Sequence, residues 1–479
     1  MAVRQDKRHI MGTVKGRRGR LLRAVAATGL MMAPLLGHAQ TADKPAPAAT
    51  NQDALTPVLN SGDTLLRFDW PMVRIGTGEY DEGPTGVTVF SFGRKVLGAV
   101  DVRGGGPGTV NTDYLRLGYS TPDLDSVVFA GGSWYGLEAT TAVATAMMDE
   151  GRRGGAWDNI ALSVGAIIYD LGDRRLNEVY PDKRLAQAAY HAVRPGTFPL
   201  GAHGAGRMAR TGGLFGCNAP SGQGGAFRQI GDVKIAVFTV VNALGVVTDR
   251  DGRIAACYLD KAWPKGVKVD DLMRGLPDSR KPGWAGPAGT ADTRHNTTVS
   301  LVITNQKMEP AELQRLAVQV HTSMARGLQP FSTIFDGDVL YAVSTGELEA
   351  DKGLPSFDLA TAAGEVMWDA ILASVPTQPT APKALGKEVL KPDALAALAG
   401  DYVFSPHVTV HVTAEGGKLY AQATGERPAY AITKDKVQEV LPVSDTDFTL
   451  PGRYPLTLRF AAPGTLLINP GPYQQTGRR

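Results

Sequence analysis

Thr297 is a small hydroxyl residue at the head of a β-branched and aliphatic run, Thr297-Thr298-Val299-Ser300-Leu301-Val302-Ile303-Thr304, directly after Arg294-His295-Asn296. Such a run predicts a buried strand with Thr297 at its mouth. A cut between Asn296 and Thr297 would hand the threonine its own base, because a free α-amino group titrates at about 7.7 to 8.0. That amine could take the Oγ proton with no histidine present, the threonine and terminal-amine form of an activated nucleophile. The bland alternative is a loop that simply enters a strand. A second informative run is Phe335-Asp336-Gly337-Asp338-Val339, where two carboxylates flank a glycine ahead of another apolar stretch. They could orient an ammonium and a hydroxyl, or they could be ordinary turn residues. Asn242, inside the apolar run from Lys234 to Val247, is either turn chemistry or a side chain aimed at a ligand.

Several elements must position these residues. Leu65 to Trp70 and Gly86 to Phe90 read as strands between Gly and Pro turns, and Ile160 to Asp170 as a buried strand. Leu137 to Met148 has helical spacing behind Gly131-Gly132-Ser133-Trp134-Tyr135-Gly136, whose glycines would let Tyr135 approach a cavity. Tyr180-Pro181-Asp182-Lys183 precedes a helical run from Leu185 to Ala192, and residues 196 to 226 read as an ordered glycine-rich loop. Pro310 to Arg326 is an amphipathic helix ending at Gly327, with His321 near its apolar face as a packed core histidine, and Leu359 to Ala373 is a further helix. Gly104-Gly105-Gly106-Pro107-Gly108 lacks the Gly-Lys-Ser/Thr ending of a phosphate cradle and reads as a turn. Residues 261 to 295 are rich in Pro, Gly and charge, which places an exposed segment before Thr297, as a processing site would need.

Composition excludes some functions. A formal charge of +3 over 479 residues, without a basic stripe interleaved with aromatics beyond the first 25, argues against nucleic-acid binding. No CxxC or HExxH occurs and the eight histidines are scattered, so neither a metal site nor a cofactor is expected. Cys217 and Cys257 could pair in an exported protein or remain buried thiols. Lys15 to Arg23 is cationic, Ala24 to Leu36 apolar, and Gly37-His38-Ala39 offers a cleavage site, so residues 1–39 read as an export signal to the periplasm or beyond. The apolar run is too short for a stable membrane span. Residues 40–60 form a flexible lead-in, 376–389 a Pro/Thr/Ala linker, and 390–479 a small antiparallel β domain built of short alternating strands. Few contacts are expected across such a linker.

The phrases LRFDWP, YDEGPTGVTV, GGSWYGLEA, YPDK, GQGGAFRQIGDVKIAV, NTTVSLVITN and QVHTSMARGLQPFSTIFDGD stand in one order over some three hundred residues. In these the chain resembles the DmpA-type (DmpA/ArgJ-like) aminopeptidases, nearest to the nylon-oligomer (6-aminohexanoate-oligomer) endohydrolases of that superfamily. The resemblance implies an α/β fold, a four-layer αββα sandwich of the N-terminal-nucleophile type over residues 61–375, cut between Asn296 and Thr297 into two chains that stay together. It implies Thr297 as nucleophile, Asn242 as oxyanion donor, Tyr135 in the pocket, and Lys183, Asp336 and Asp338 as the supporting charges. It further implies a peptide or oligoamide substrate, no cofactor, and a homo-oligomer, a tetramer of processed heterodimers. A β-aminopeptidase, an L-aminopeptidase/D-esterase and an inactive exported binding protein remain alternatives. The C-terminal segment lies beyond this resemblance and is loosely similar to the small β domain of penicillin-binding-protein-like serine hydrolases.

Overall fold

The computed structural model describes residues 52–116, 119–259, 262–275, 296–385, 391–450, 456–461 and 464–479. The export signal, much of the lead-in, residues 276–295 of the segment before Thr297 and the last part of the linker lie outside them. All described residues belong to one compact unit.

Its first half supplies β1 (Arg74–Tyr80), β2 (Thr85–Val102), β3 (Asp123–Ala130), α1 (Glu138–Asp149), β4 (Ser163–Ile167) and α2 (Lys183–His191). The second half supplies β5 (Gln223–Ile230), β6 (Val233–Asn242), β7 (Thr297–Gln306), α3 (Pro310–Ser323), β8 (Val339–Leu348) and α4 (Ser356–Ala373). The strands lie in the order β5-β6-β7-β8-β2-β3-β4, with β1 on the other side of β2. The long β2 serves both halves: Thr85 to Ser91 pairs with β1 and β3, and Leu97 to Val102 pairs with β8. Its register with β3 breaks between Ser91 and Val96, where the strand passes from one half to the other.

Strand alternation then builds the layers. Phe238 and Val240 of β6 join Phe90, Phe129, Phe198 and Tyr341 in a core between the two halves of the sheet. Val237 and Val241 point the other way, into a second core with Leu313, Leu316 and Val320 of α3 and Leu359, Val366 and Met367 of α4. Val128 and Ala130 of β3 do the same beneath α1 and α2. The result is helix, sheet, sheet, helix, the αββα sandwich that the resemblance implies. β7 is covered on both faces, and every one of its residues, polar and apolar alike, is buried. His321 is buried on α3 with Nδ1 2.9 Å from Asp101 Oδ2, the packed role expected of it.

The structure adds what the pattern hid. Asp123–Ala130 is a full strand, and Gln223–Ile230 is an edge strand that begins inside the stretch read as a loop, its glycines and glutamines masking it. Cys217 and Cys257 are joined in a buried disulfide beside Val246, Ile254 and Val269. The C-terminal segment is a closed, eight-stranded antiparallel barrel from Gly400–Ser405 to Gln475–Arg478. A closed barrel of this size is filled by its own side chains. Here Leu176, from the first half of the chain, joins Tyr402, Phe404, Val410 and Leu466 in the barrel's apolar cluster. A Pro-rich linker leads one to expect few contacts across it. The barrel nevertheless meets the sandwich through several hydrogen bonds, among them Arg207 Nε to Pro472 O at 2.7 Å and Leu176 N to Gln475 Oε1 at 2.9 Å.

Candidate active site

Asn242 and Thr297 are direct partners in adjacent antiparallel strands, the last residue of β6 against the first of β7. Register alone delivers them together, and a slip of one residue would turn Thr297 to the opposite face. Both are buried, at 0% and 4% exposure. The peptide between Asn296 and Thr297 is held from two sides. The Asn296 carbonyl accepts the Thr297 hydroxyl at 2.5 Å and the Gly337 N–H at 2.8 Å. The Asn296 N–H donates to Phe335 O at 3.3 Å, which lays this residue along the carboxylate turn.

That turn is wired by backbone donors. Asp336 accepts from Leu244 N at 3.1 Å, Thr333 N at 3.1 Å and the Thr333 hydroxyl at 2.6 Å. Asp338 accepts from Thr298 N at 2.6 Å and Ser332 N at 3.1 Å. Burial pushes Asp338 well above the ordinary carboxylate range, and the neighbouring Asp336 charge pushes the same way. Asp336 is also raised by burial, opposed by its hydrogen bonds. The plain-turn reading of these residues therefore omits their burial and their link to Thr298.

The glycine run proves to be the floor of this turn. Arg103 N and Gly104 N donate to Asp338 O at 3.0 and 3.1 Å, and Gly106 N donates to Asp336 O at 3.0 Å. A Cβ at Gly104 would stand 2.1 Å from Asp338 N, and one at Gly337 would stand 2.8 Å from Thr297 Oγ1. Only glycine allows two backbones and the hydroxyl to approach this closely.

Arg174 was not singled out by the sequence. It lies in the turn after β4, buried, and donates to Asn296 Oδ1 at 2.8 Å, to Asn242 Oδ1 and to Tyr169 O at 2.9 Å. Burial lowers its pKa, partly offset by Asp173. Asn242 Oδ1 also accepts from Arg210 N at 3.1 Å, and its amide nitrogen donates to Tyr169 O at 3.1 Å. Two adjacent arginines, Arg174-Arg175, just past a buried strand were the available signal. The second, Arg175, is fully buried against Asp170 at 3.1 Å, and Asp170 accepts the Gly132 N–H at 2.8 Å. Gly132, at φ +77°, turns the chain into the short helix that carries Tyr135.

The structure thus gathers Thr297, Asn296, Asn242, Asp336 and Asp338. Tyr135 and Lys183 stand apart from that cluster. Tyr135 is 65% exposed with its ring 5.9 Å from Tyr180, and Lys183 is exposed as the first residue of α2, just after the capping Asp182. Among the described residues no group of three or more His, Cys, Asp or Glu could hold a metal ion, and no helix is long and apolar enough to cross a membrane.

A peptide carbonyl held by a hydroxyl and a backbone donor, with buried carboxylates bonded to the next residue, in an αββα sandwich, is the arrangement of an amide hydrolase. The family model of peptidase family S58 matches residues 68–388, and the chain belongs to that family. It is 39% identical over 331 residues to the 6-aminohexanoate-oligomer endohydrolase of Paenarthrobacter ureafaciens, covering 66% of this chain and 88% of that protein. It is 33% identical over 302 residues to an uncharacterized aminopeptidase of Mycobacterium bovis, covering 60% of this chain and 84% of that one. Among solved structures, a Burkholderia β-aminopeptidase aligns at 17% identity and a TM-score of 0.45, covering 68% of this chain and 90% of that one. The L-aminopeptidase D-Ala-esterase/amidase of Ochrobactrum anthropi aligns at 18% identity and 0.44, covering 64% and 82%.

Proposed function

We propose that this chain is an exported, self-processing amide hydrolase whose nucleophile is Thr297, acting on short peptides or 6-aminohexanoate-type oligoamides. The observation that carries it is the Thr297 hydroxyl in hydrogen-bond contact with the carbonyl of its own upstream peptide, while Gly337 N–H polarises that carbonyl. In self-processing, Thr297 Oγ attacks the Asn296 carbonyl carbon and the C–N bond breaks, leaving an ester. The Oγ proton passes to the Thr297 nitrogen in that step, which frees the amine, and water then hydrolyses the ester to the Asn296 carboxylate and the Thr297 hydroxyl. That new ammonium forms one residue from the Thr298 N–H that already binds Asp338, so the buried carboxylates become its counter-charge. In turnover the neutral amine accepts the Oγ proton and delivers it to the departing amine of the substrate. The acyl-threonine ester is hydrolysed by water. Asn242 serves the oxyanion with its amide N–H. Tyr135 and Lys183, exposed and apart from the buried cluster, are assigned to the substrate side of the reaction.

Resemblance to oligoamide endohydrolases favours internal cleavage, and the 39% identity supports that choice. An aminopeptidase is the second reading, supported by the mycobacterial relatives. The leader of residues 1–39 and the Cys217–Cys257 disulfide support export to an oxidising compartment. Assembly as a homo-oligomer of cut chains follows from the resemblance and is checked by sizing the purified protein.

The test is an assay of linear 6-aminohexanoate oligomers beside α- and β-aminoacyl p-nitroanilides and short peptides. Internal cleavage of the oligomer at rates rivalling the best peptide is expected. Release of N-terminal residues alone, with the oligomer untouched, would transfer the assignment to an aminopeptidase.

A further inference from the structure

The barrel lies beyond the span matched by the family model, which ends at residue 388. Arg207 and Glu82 of the sandwich meet the barrel at Pro472 O and Arg478, whereas Arg427, Tyr430 and Gln475 of the barrel all bond to the short segment Gly172 to Glu178. Arg427 donates to Gly172 O at 2.7 Å and pairs with the Glu178 carboxylate. The Tyr430 hydroxyl donates to Arg174 O at 2.8 Å. Leu176 gives its N–H to Gln475 and its side chain to the barrel's apolar cluster. This is the segment whose Arg174 side chain reaches Asn296 and Asn242.

The energetics of Arg174 explain why such a grip matters. A desolvated guanidinium bonded to amide oxygens is costly to keep buried, and a long arginine side chain regains solvent readily when its backbone is free to shift. Tyr430 meets Arg174 O from a backbone at φ +54°, a conformation that non-glycine residues hold only when their surroundings impose it.

We propose that the barrel is a built-in positioning element for the active site. By fixing Gly172 to Glu178 it holds the Arg174 guanidinium on Asn296, in the subsite for the acyl side of the bond to be cut, and on Asn242. Tyr430, Arg427 and Leu176 are positioning residues acting through Arg174. This inference rests on the assignment of Thr297 as nucleophile.

The test uses the full chain, made by cell-free synthesis so that self-cutting can be timed on a denaturing gel. The double variant Tyr430→Phe/Arg427→Ala removes the Tyr430 hydroxyl and the Arg427 guanidinium, three contacts with Gly172 to Glu178 in all, and is expected to slow cutting about tenfold, within the scale of those lost hydrogen bonds. In the cut enzyme kcat for a small amide should fall by a similar factor with KM nearly unchanged, and Arg427→Lys should recover part of the rate. Leu176→Ala, which loosens the apolar plug, should act in the same direction. Arg478→Ala breaks only the exposed pair with Glu82 and should leave cutting at the parent rate. Parental cutting and kcat in the double variant, with Thr297→Ala remaining whole, would overturn the role of the barrel alone. Equal slowing by Arg478→Ala would overturn it too, as a general loss of stability. Cutting of Thr297→Ala at the same bond would overturn the nucleophile assignment and this inference with it.

Discussion

Two walls close on the Asn296–Thr297 bond, and they are built differently. The carboxylate wall, Asp336-Gly337-Asp338 on its glycine floor, is made of backbone hydrogen bonds between the segment that leads into β8 and the segment that follows β2, two central strands of one sheet. The arginine wall is a turn buried from Arg174 to Asn177, whose guanidinium reaches Asn296 and whose backbone is held by the barrel. The first wall is part of the fold. The second depends on docking between two parts of the chain, so the two should respond differently to mutation: changes in the first alter chemistry at once, and changes in the second act by degrees.

The largest expected effects therefore belong to the carboxylate wall. Asp338→Asn keeps the shape and one acceptor but removes the counter-charge for the new ammonium. Turnover measured on a p-nitroanilide should fall by orders of magnitude. Asn242→Ala should cost about 10²- to 10³-fold in kcat, the scale of one lost oxyanion donor. A fall of less than threefold in either would break the contrast between the walls.

Gly104→Ala probes the floor itself. Its methyl group would meet the Asp338 backbone nitrogen at 2.1 Å, so the turn must move. Overpacking of this kind costs about 1–3 kcal/mol, read as a lowered melting temperature, and self-cutting should slow with it. Gly106, whose added Cβ meets nothing, should accept the same change without loss, provided its N–H still reaches Asp336 O.

A smaller effect is electrostatic and appears in the uncut chain. Asp338 is raised in the folded state, so that state holds more protons than the unfolded one once pH exceeds the unfolded carboxyl value of about 3.9. Thr297→Ala protein should lose stability as pH climbs through the window between that value and the raised one. Adding Asp338→Asn should reduce that slope in a melting series, leaving the share of Asp336, which burial also raises. The least effect is expected from Tyr135→Phe and Lys183→Ala on self-cutting, since neither residue joins the buried cluster. Any loss they cause should appear in substrate hydrolysis.

The same contrast explains what could be read from the sequence. Thr297, Asn242, Asp336 and Asp338 were legible because each sits at the end of a strongly apolar strand, where a polar residue stands out. Helices α3 and α4 announced themselves by their spacing and lie close to their expected bounds. Arg174 was hidden because a buried arginine in a turn looks like any surface arginine. The role of Gly104 to Gly106 was equally hidden, because a glycine run does not say which backbone approaches it. Four of the barrel's eight strands could be read from their alternation, but not the other four, its closure or its grip on Gly172 to Glu178, which depend on pairing between residues far apart in the chain.

The central claim, that Thr297 becomes a chain terminus and then the nucleophile, is tested most directly by sequencing the smaller chain of the purified active protein. That chain is expected to begin Thr-Thr-Val-Ser-Leu, and Thr297→Ala protein to remain one inactive chain. A fully active single chain, or a smaller chain with any other first residue, would contradict it.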